Sequence, residues 1–266
     1  MVLAEQRTGF WGRPGDGAAQ PEISDGDIRN RIYTFEPWLG CLWGTSCTFC
    51  YVPNLSLGHY PGGREGNWFK DWGRWLVPKP NITDRLRRHL FNRHGRTRPK
   101  YLGAFVFMSA KTDPFLPRPD LLRITRANLE VFAEADVLLM CQTRSSAIVE
   151  DAEIFAMLCQ MAKQKKAAVS FSIPTDIRKF QRRIEHGGSS PERRLRIMER
   201  LKTAGIFVSA GVSPLMPYSA EFAASLIECA SRLHSGVTAL GFRLGRPAAR
   251  FDRSTPISAR LKEIGR

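Results

Sequence analysis

The sequence predicts an α/β fold built on a parallel sheet, and three observations lead there. Short β-type apolar runs and stretches of helical spacing alternate about six times from Arg31 onward, the pattern of repeated β-α units. The clearest runs, GAFVFMS over Gly103–Ser109 and VLLMCQT over Val137–Thr143, read as buried strands. Each run is separated from the next by room for a helical crossover, so neighbouring strands run parallel with right-handed connections. So few units fall short of the closed eight-fold barrel. They fit an open, partial barrel or a flat doubly wound sheet. In both, ligands gather at the C-terminal ends of the strands.

The elements follow in order. Residues 1–30 are rich in Gly, Asp and Pro, lack periodicity, and read as a flexible lead-in. Arg31–Phe35 is a first strand running into a cysteine-rich loop. Gly103–Ser109 is the second strand, and Asp120–Ala133 follows with helical spacing. Val137–Thr143 and Ala167–Ile173 are strands separated by a helix over Asp151–Lys163. Pro191–Ala204 is a helix with Ser190 as its N-cap and Pro191 at its first position. Ile206–Val212 is a strand, Ala220–Leu233 a helix and Val237–Leu244 the last strand. A core domain over 31–250 and a tail over 251–266 complete the division.

The chain has 266 residues, of which 43% are hydrophobic, enough for a substantial core. No run of about 18 apolar residues occurs, so no membrane span is expected. The opening MVLAEQRTGFWGRPGDGAAQ has neither a basic start nor an apolar h-region, which argues against a signal peptide. A reducing, cytoplasmic setting is the expectation. The formal net charge is +15, and arginine supplies 30 of the 40 basic residues. Such charge attracts nucleic acid or another polyanion. A composition biased towards arginine along the whole chain accounts for it equally, since the basic residues form only small clusters such as Arg85–His89 and Arg193–Arg196.

Six cysteines divide into two groups. Cys141, Cys159 and Cys229 are scattered within apolar stretches and read as core residues. Cys41, Cys47 and Cys50 crowd into the segment GCLWGTSCTFCY and read as metal ligands. Thiolates suit zinc or iron–sulfur clusters. A structural zinc site closes with four ligands, and His59 is a candidate for the fourth. Three cysteines alone leave a cubane with one iron free of protein ligands, open to a small molecule. Gly40 and Gly44 allow the tight backbone that wrapping a cluster requires. Phe49, between the last two cysteines, is placed to lie beside an adenine or to pack in the core.

The triad, ending in Cys-x-aromatic-Cys, resembles the signature of radical S-adenosylmethionine (SAM) enzymes. The usual spacing in that superfamily is three residues and then two, whereas here it is five and then two. Further segments extend the likeness: GNWFKDWGRWLVPKP, SAKTDPFLPRPDLLRITRANLEVF, QTRSS and RRIEHGGSSPERRLRIMERLKTAGIFVSAGVSPLMP. As an ordered set over roughly residues 31–245 they resemble the spore photoproduct lyase-like branch. The resemblance implies a partial (β/α)6 TIM-like barrel, a [4Fe–4S] cluster on Cys41, Cys47 and Cys50, and SAM as second cofactor. It implies reductive cleavage of SAM to a 5′-deoxyadenosyl radical that abstracts hydrogen from an unidentified substrate, with electrons from an external donor.

The resemblance also assigns roles. Asp113 and the Ser109 backbone would meet the methionine amino group, although Asp113 also suits a turn before Pro114. Arg144 stands where related sequences carry a lysine for the SAM carboxylate, and it can make a two-pronged bond there. Ser170 and Ser172 share a strand face and would hold the ribose. Ser213–Pro217 would lie near the adenine. Arg183 and Glu185 read as a salt bridge that shapes the site. In the lyase itself a cysteine near the end of the second strand returns a hydrogen atom to the repaired thymine. Here that place is taken by Ala110. Two other functions stay open at this stage: lesion repair on DNA, and zinc-stabilised nucleic-acid binding without catalysis.

Overall fold

The computed structural model describes residues 23–27, 32–43, 47, 49, 50, 52, 72–185, 188–211 and 219–221. The strands are β1 (Ile23–Asp27), β2 (Ile32–Phe35), β3 (Trp38–Cys41), β4 (Trp75–Pro78), β5 (Ala104–Met108), β6 (Val137–Thr143), β7 (Ala167–Ser172) and β8 (Phe207–Gly211). The helices are α1 (Ile82–Leu90), α2 (Pro119–Glu134), α3 (Ala147–Glu150), α4 (Ala152–Lys163), α5 (Arg178–Ile184) and α6 (Pro191–Thr203). The main sheet has the order β1-β2-β5-β6-β7-β8. All its pairings are parallel except β1 with β2. The mixed α/β fold with a mostly parallel sheet is therefore as the sequence predicts.

The strand order bears on one of the two architectures left open. From β2 to β8 each strand is added on the same side of the one before it. A doubly wound sheet reverses its order at a switch point, and none occurs among the described strands. The flat doubly wound alternative is thereby corrected to a singly wound sheet. Other elements escaped the sequence reading. β1 lies within the expected lead-in and adds an antiparallel edge ahead of Arg31. β3 and β4 form a separate antiparallel pair, with Cys41 opposite Trp75. The basic run Arg85–His89 lies on α1, whose buried stripe is Ile82, Leu86 and Leu90. The expected helix from Ala220 to Leu233, the strand Val237–Leu244, Cys229, Tyr51, Gly44, His59 and Ser213–Pro217 fall wholly or mainly outside the described residues.

The sheet has two unlike faces. On one, Tyr33, Phe35, Val106, Met108, Leu139, Cys141, Val169, Phe171 and Val208 are buried with Leu86, Leu129, Phe132, Leu158, Ile197 and Leu201 from the helices. Phe35 meets Phe132 of α2 edge-on, with ring centroids 5.3 Å apart. The other face is half-open and graded along the strands. Phe105, Leu138, Phe107 and Met140 line its lower part, and Gln142 and Ser170 lie further towards the C-terminal ends. Helix starts are fixed locally: Asp151 accepts the Ile154 N–H (3.1 Å) and Ser190 the Arg193 N–H (3.3 Å), caps worth about 1 kcal/mol each.

Candidate cofactor site

The β3–β4 pair seats the cysteine loop. Gly40 has φ 82°, and a Cβ there would strike the Trp75 ring and backbone, so only glycine fits before Cys41. Trp38 packs with Leu76, Leu116 and Leu121, and Leu42 and Trp43 pack against that group. Two indole N–H groups tie the loop to the segment after β5. Trp38 Nε1 donates to Thr112 Oγ1 (2.9 Å), and Trp43 Nε1 to Asp113 Oδ2 (3.3 Å). The loop then turns tightly, with the Cys50 N–H donating to the Cys47 carbonyl (2.9 Å).

Cys41, Cys47 and Cys50 are half-buried and outside any disulfide. Burial, reinforced by the other two cysteines, pushes Cys41 up to about 12. Burial and the nearby Cys47 push Cys50 up to about 11. Such thiols ionise when a cation compensates them, which is how metal binding releases protons. Among the described residues no group of three or more His, Cys, Asp or Glu is assembled to hold a single ion. Three cysteine thiols on one loop are the kind of donor that iron–sulfur clusters take.

Arg144, just beyond β6, faces this loop. Its Nη1 donates to Cys47 Sγ (2.7 Å) and to Glu185 Oε1 (2.6 Å). Burial lowers the Arg144 pKa, but Cys47, Glu185 and Asp113 outweigh it and raise the guanidinium further. Phe49 packs against Phe180 and Ile184 of α5, and the Arg144 guanidinium carbon lies 5.9 Å from its ring centroid. The expected pairing of Arg183 with Glu185 is corrected. Arg183 is exposed on α5, while Glu185 is buried between Arg144 and Arg194.

Asp113 is a hub. Oδ1 accepts from the Phe115 N–H (2.9 Å) and Thr143 Oγ1 (2.8 Å), and Oδ2 from the Arg144 N–H (3.0 Å) and Trp43 Nε1. Burial raises its pKa and these bonds oppose the rise. Ser109 is buried at φ 65°, with its hydroxyl unpartnered among the described residues. Ser170 lies on the half-open face, in register with Gln142 and Ser209. Ser172 is buried, and its carbonyl accepts from Arg194 Nη1 (2.6 Å).

Sequence reasoning missed Glu36, Glu185's second partner Arg194, and the two indole anchors. Arg194 had a legible signal: it falls on the buried stripe of α6 with Pro191, Ile197 and Leu201. Glu36 had none. It is buried beyond β2, with Oε1 accepting the Lys111 N–H (3.0 Å) and Oε2 unpartnered. Burial pushes its carboxyl up to about 7, against the Lys111 N–H and the Lys111 and Lys79 ammonium groups. The folded protein thus binds this proton more tightly than the unfolded chain. Glu36 therefore costs stability as the pH rises from 4.5 to about 7. The loss amounts to roughly 3 kcal/mol. Glu36→Gln should remove this component from urea unfolding measured across the same range, and an unaltered pH profile would refute the assignment.

No family model matches the chain. It is 28% identical over 203 residues to an uncharacterized protein of Acidianus two-tailed virus, covering 76% of this chain and 60% of that one. It is 23% identical over 218 residues to uncharacterized proteins of Mycobacterium bovis and Mycobacterium tuberculosis, covering 80% of this chain and 59% of each. The chain thus spans about 60% of the length of the curated relatives it matches. Its fold is similar to that of spore photoproduct lyase. A mutant of that enzyme with dinucleoside spore photoproduct superposes with TM-score 0.52 and 16% identity, over 83% of this chain and 56% of that one. Another, with bound AdoMet and the same dinucleoside, gives TM-score 0.53 and 16% identity over 83% and 57%.

Proposed function

We propose that this chain, which has the fold of spore photoproduct lyase, is a radical SAM enzyme. One observation carries the reading. Three cysteines outside any disulfide lie on one loop at the C-terminal side of a parallel sheet, where a half-buried arginine donates to the middle one. Cys41, Cys47 and Cys50 would hold a [4Fe–4S] cluster and leave one iron for SAM. When bound, the cluster supplies an electron to SAM, whose cleavage gives methionine and a 5′-deoxyadenosyl radical that takes hydrogen from the substrate.

The chain's own residues would bind and orient. The Nη2 and Nε edge of Arg144 bonds to none of the described residues and suits the SAM carboxylate. Ser109 offers its unpartnered hydroxyl near the methionine, and Asp113 fixes the Arg144 main chain. Ser170 and Ser172 would take the ribose and Phe49 one side of the adenine. The sheet would curve as a partial (β/α)6 barrel within a core of residues 31–250. No helix among the described residues is long and apolar enough to cross a membrane. A reducing cytoplasm with an external one-electron donor suits this chemistry.

A phosphate-bearing substrate, a nucleic acid above all, has support of its own. An open pocket of about 660 Å³ beside Gly188 is lined by Arg178, Arg193 and Arg196 with Ser189, Ser190 and Glu192; Arg193 also pairs with Glu150, and the net charge is +15. The reading is tested by anaerobic incubation of the iron-reconstituted chain with SAM and dithionite. Formation of 5′-deoxyadenosine is expected. A brown, cluster-loaded protein that forms none would refute SAM cleavage, and a colourless zinc protein would refute the cluster.

A further inference from the structure

Arg194 is fully buried, an arginine on the core stripe of α6. Its Nη1 holds the Ser172 carbonyl oxygen and its Nη2 holds Glu185 Oε2 (2.7 Å). Glu185 is itself wholly buried, and its other oxygen takes Arg144 Nη1. The same Nη1 reaches Cys47 Sγ. The main chains of Cys47 and Glu185 also meet in an isolated antiparallel bridge, so backbone and side chains hold thiol and acid together. Gly188 closes over the chain of charges. A Cβ there would collide with Arg194 Nη2 and lie 3.1 Å from Arg144 Cδ.

A buried Arg–Glu–Arg chain is a poor way to gain stability, because desolvating the ions offsets much of their attraction. What the arrangement does achieve is placement. It carries one net positive charge and ends with an N–H aimed at a sulfur. Hydrogen bonds to the sulfurs and nearby charge are among the factors that set the potential of an iron–sulfur cluster. We infer that Arg144 is a positioning residue for the cluster, whose N–H···S bond to Cys47 raises the reduction potential, and that Glu185 and Arg194 hold the guanidinium in that place. The inference rests on the cluster assignment proposed above. Reduction adds negative charge to the cluster and its thiolates, so a donor fixed on Cys47 favours the reduced state.

The test uses the full chain, reconstituted anaerobically with iron and sulfide, in the absence of SAM. The midpoint potential is read by electron paramagnetic resonance during titration with dithionite. Arg144→Met should keep its iron and lower the potential by about 59 mV, a tenfold change in the one-electron reduction constant. Arg144→Lys keeps the charge and loses the planar guanidinium whose Nη1 bonds both Cys47 and Glu185, so its potential should fall by less. A wild-type potential in an iron-replete Arg144→Met protein overturns the inference and leaves the cluster assignment standing. Should that variant lose its iron, Arg144→Lys decides, and an unchanged potential there overturns it. A wild-type chain that takes up no [4Fe–4S] cluster overturns both.

Discussion

Changing Cys41, Cys47 and Cys50 to Ala is expected to take the iron content of the reconstituted protein from about four per chain to none. Each single change should already prevent a stable cluster, because on the proposed reading the loop would supply only three ligands and the fourth iron would be left to SAM. The fold should survive. The loop is anchored by Trp38, Leu76, Leu116 and Leu121, and the thiols contribute little to that packing. Cys141 gives the contrast. It is fully buried on the helix-facing side of β6, in register with Met108 and Val169, and burial pushes its thiol up. Cys141→Ala should cost about 1 kcal/mol of stability and leave the iron intact. Iron measurement with circular dichroism on the same samples checks both halves. Full iron in the triple variant would refute the assignment.

Supplied with a spore-photoproduct dinucleotide, SAM and reductant under anaerobic conditions, the protein is expected to cleave SAM without releasing intact thymine over multiple turnovers. The resemblance to the lyase implies a cysteine, near the end of the strand here called β5, that returns a hydrogen atom to the repaired base. At that place this chain has Ala110, between buried Ser109 and Lys111. An alanine C–H bond is too strong to give up hydrogen readily, whereas a thiol S–H is weak. No cysteine lies between Cys50 and Cys141 in the sequence. Cys141 points to the helix-packed face, away from the half-open face with Gln142 and Ser170. Multiple-turnover thymine release would overturn this expectation. Introducing Ala110→Cys tests it from the other side, since any repair gained would locate the substrate radical beside that position.

The sequence alone determined the strands and helices from Gly103 to Gly211 to within a residue or two, except for the short α3 and α5. Their signals are local: apolar runs of strand length, stripes at helical spacing, and the caps Asp151 and Ser190, which bond within three residues of themselves. It also singled out Cys41, Cys47 and Cys50 as candidates, because three thiols within ten residues stand out without a folded structure. Tertiary structure alone decided the singly wound strand order, since the same alternation is compatible with either winding. It alone decided what surrounds the cysteines. Arg144 finds Cys47 across 97 positions and Glu185 across 41, and Trp43 finds Asp113 across 70. A charge or an indole N–H has no preferred partner along the chain. It acquires one only when packing removes water and leaves a single group within hydrogen-bonding reach.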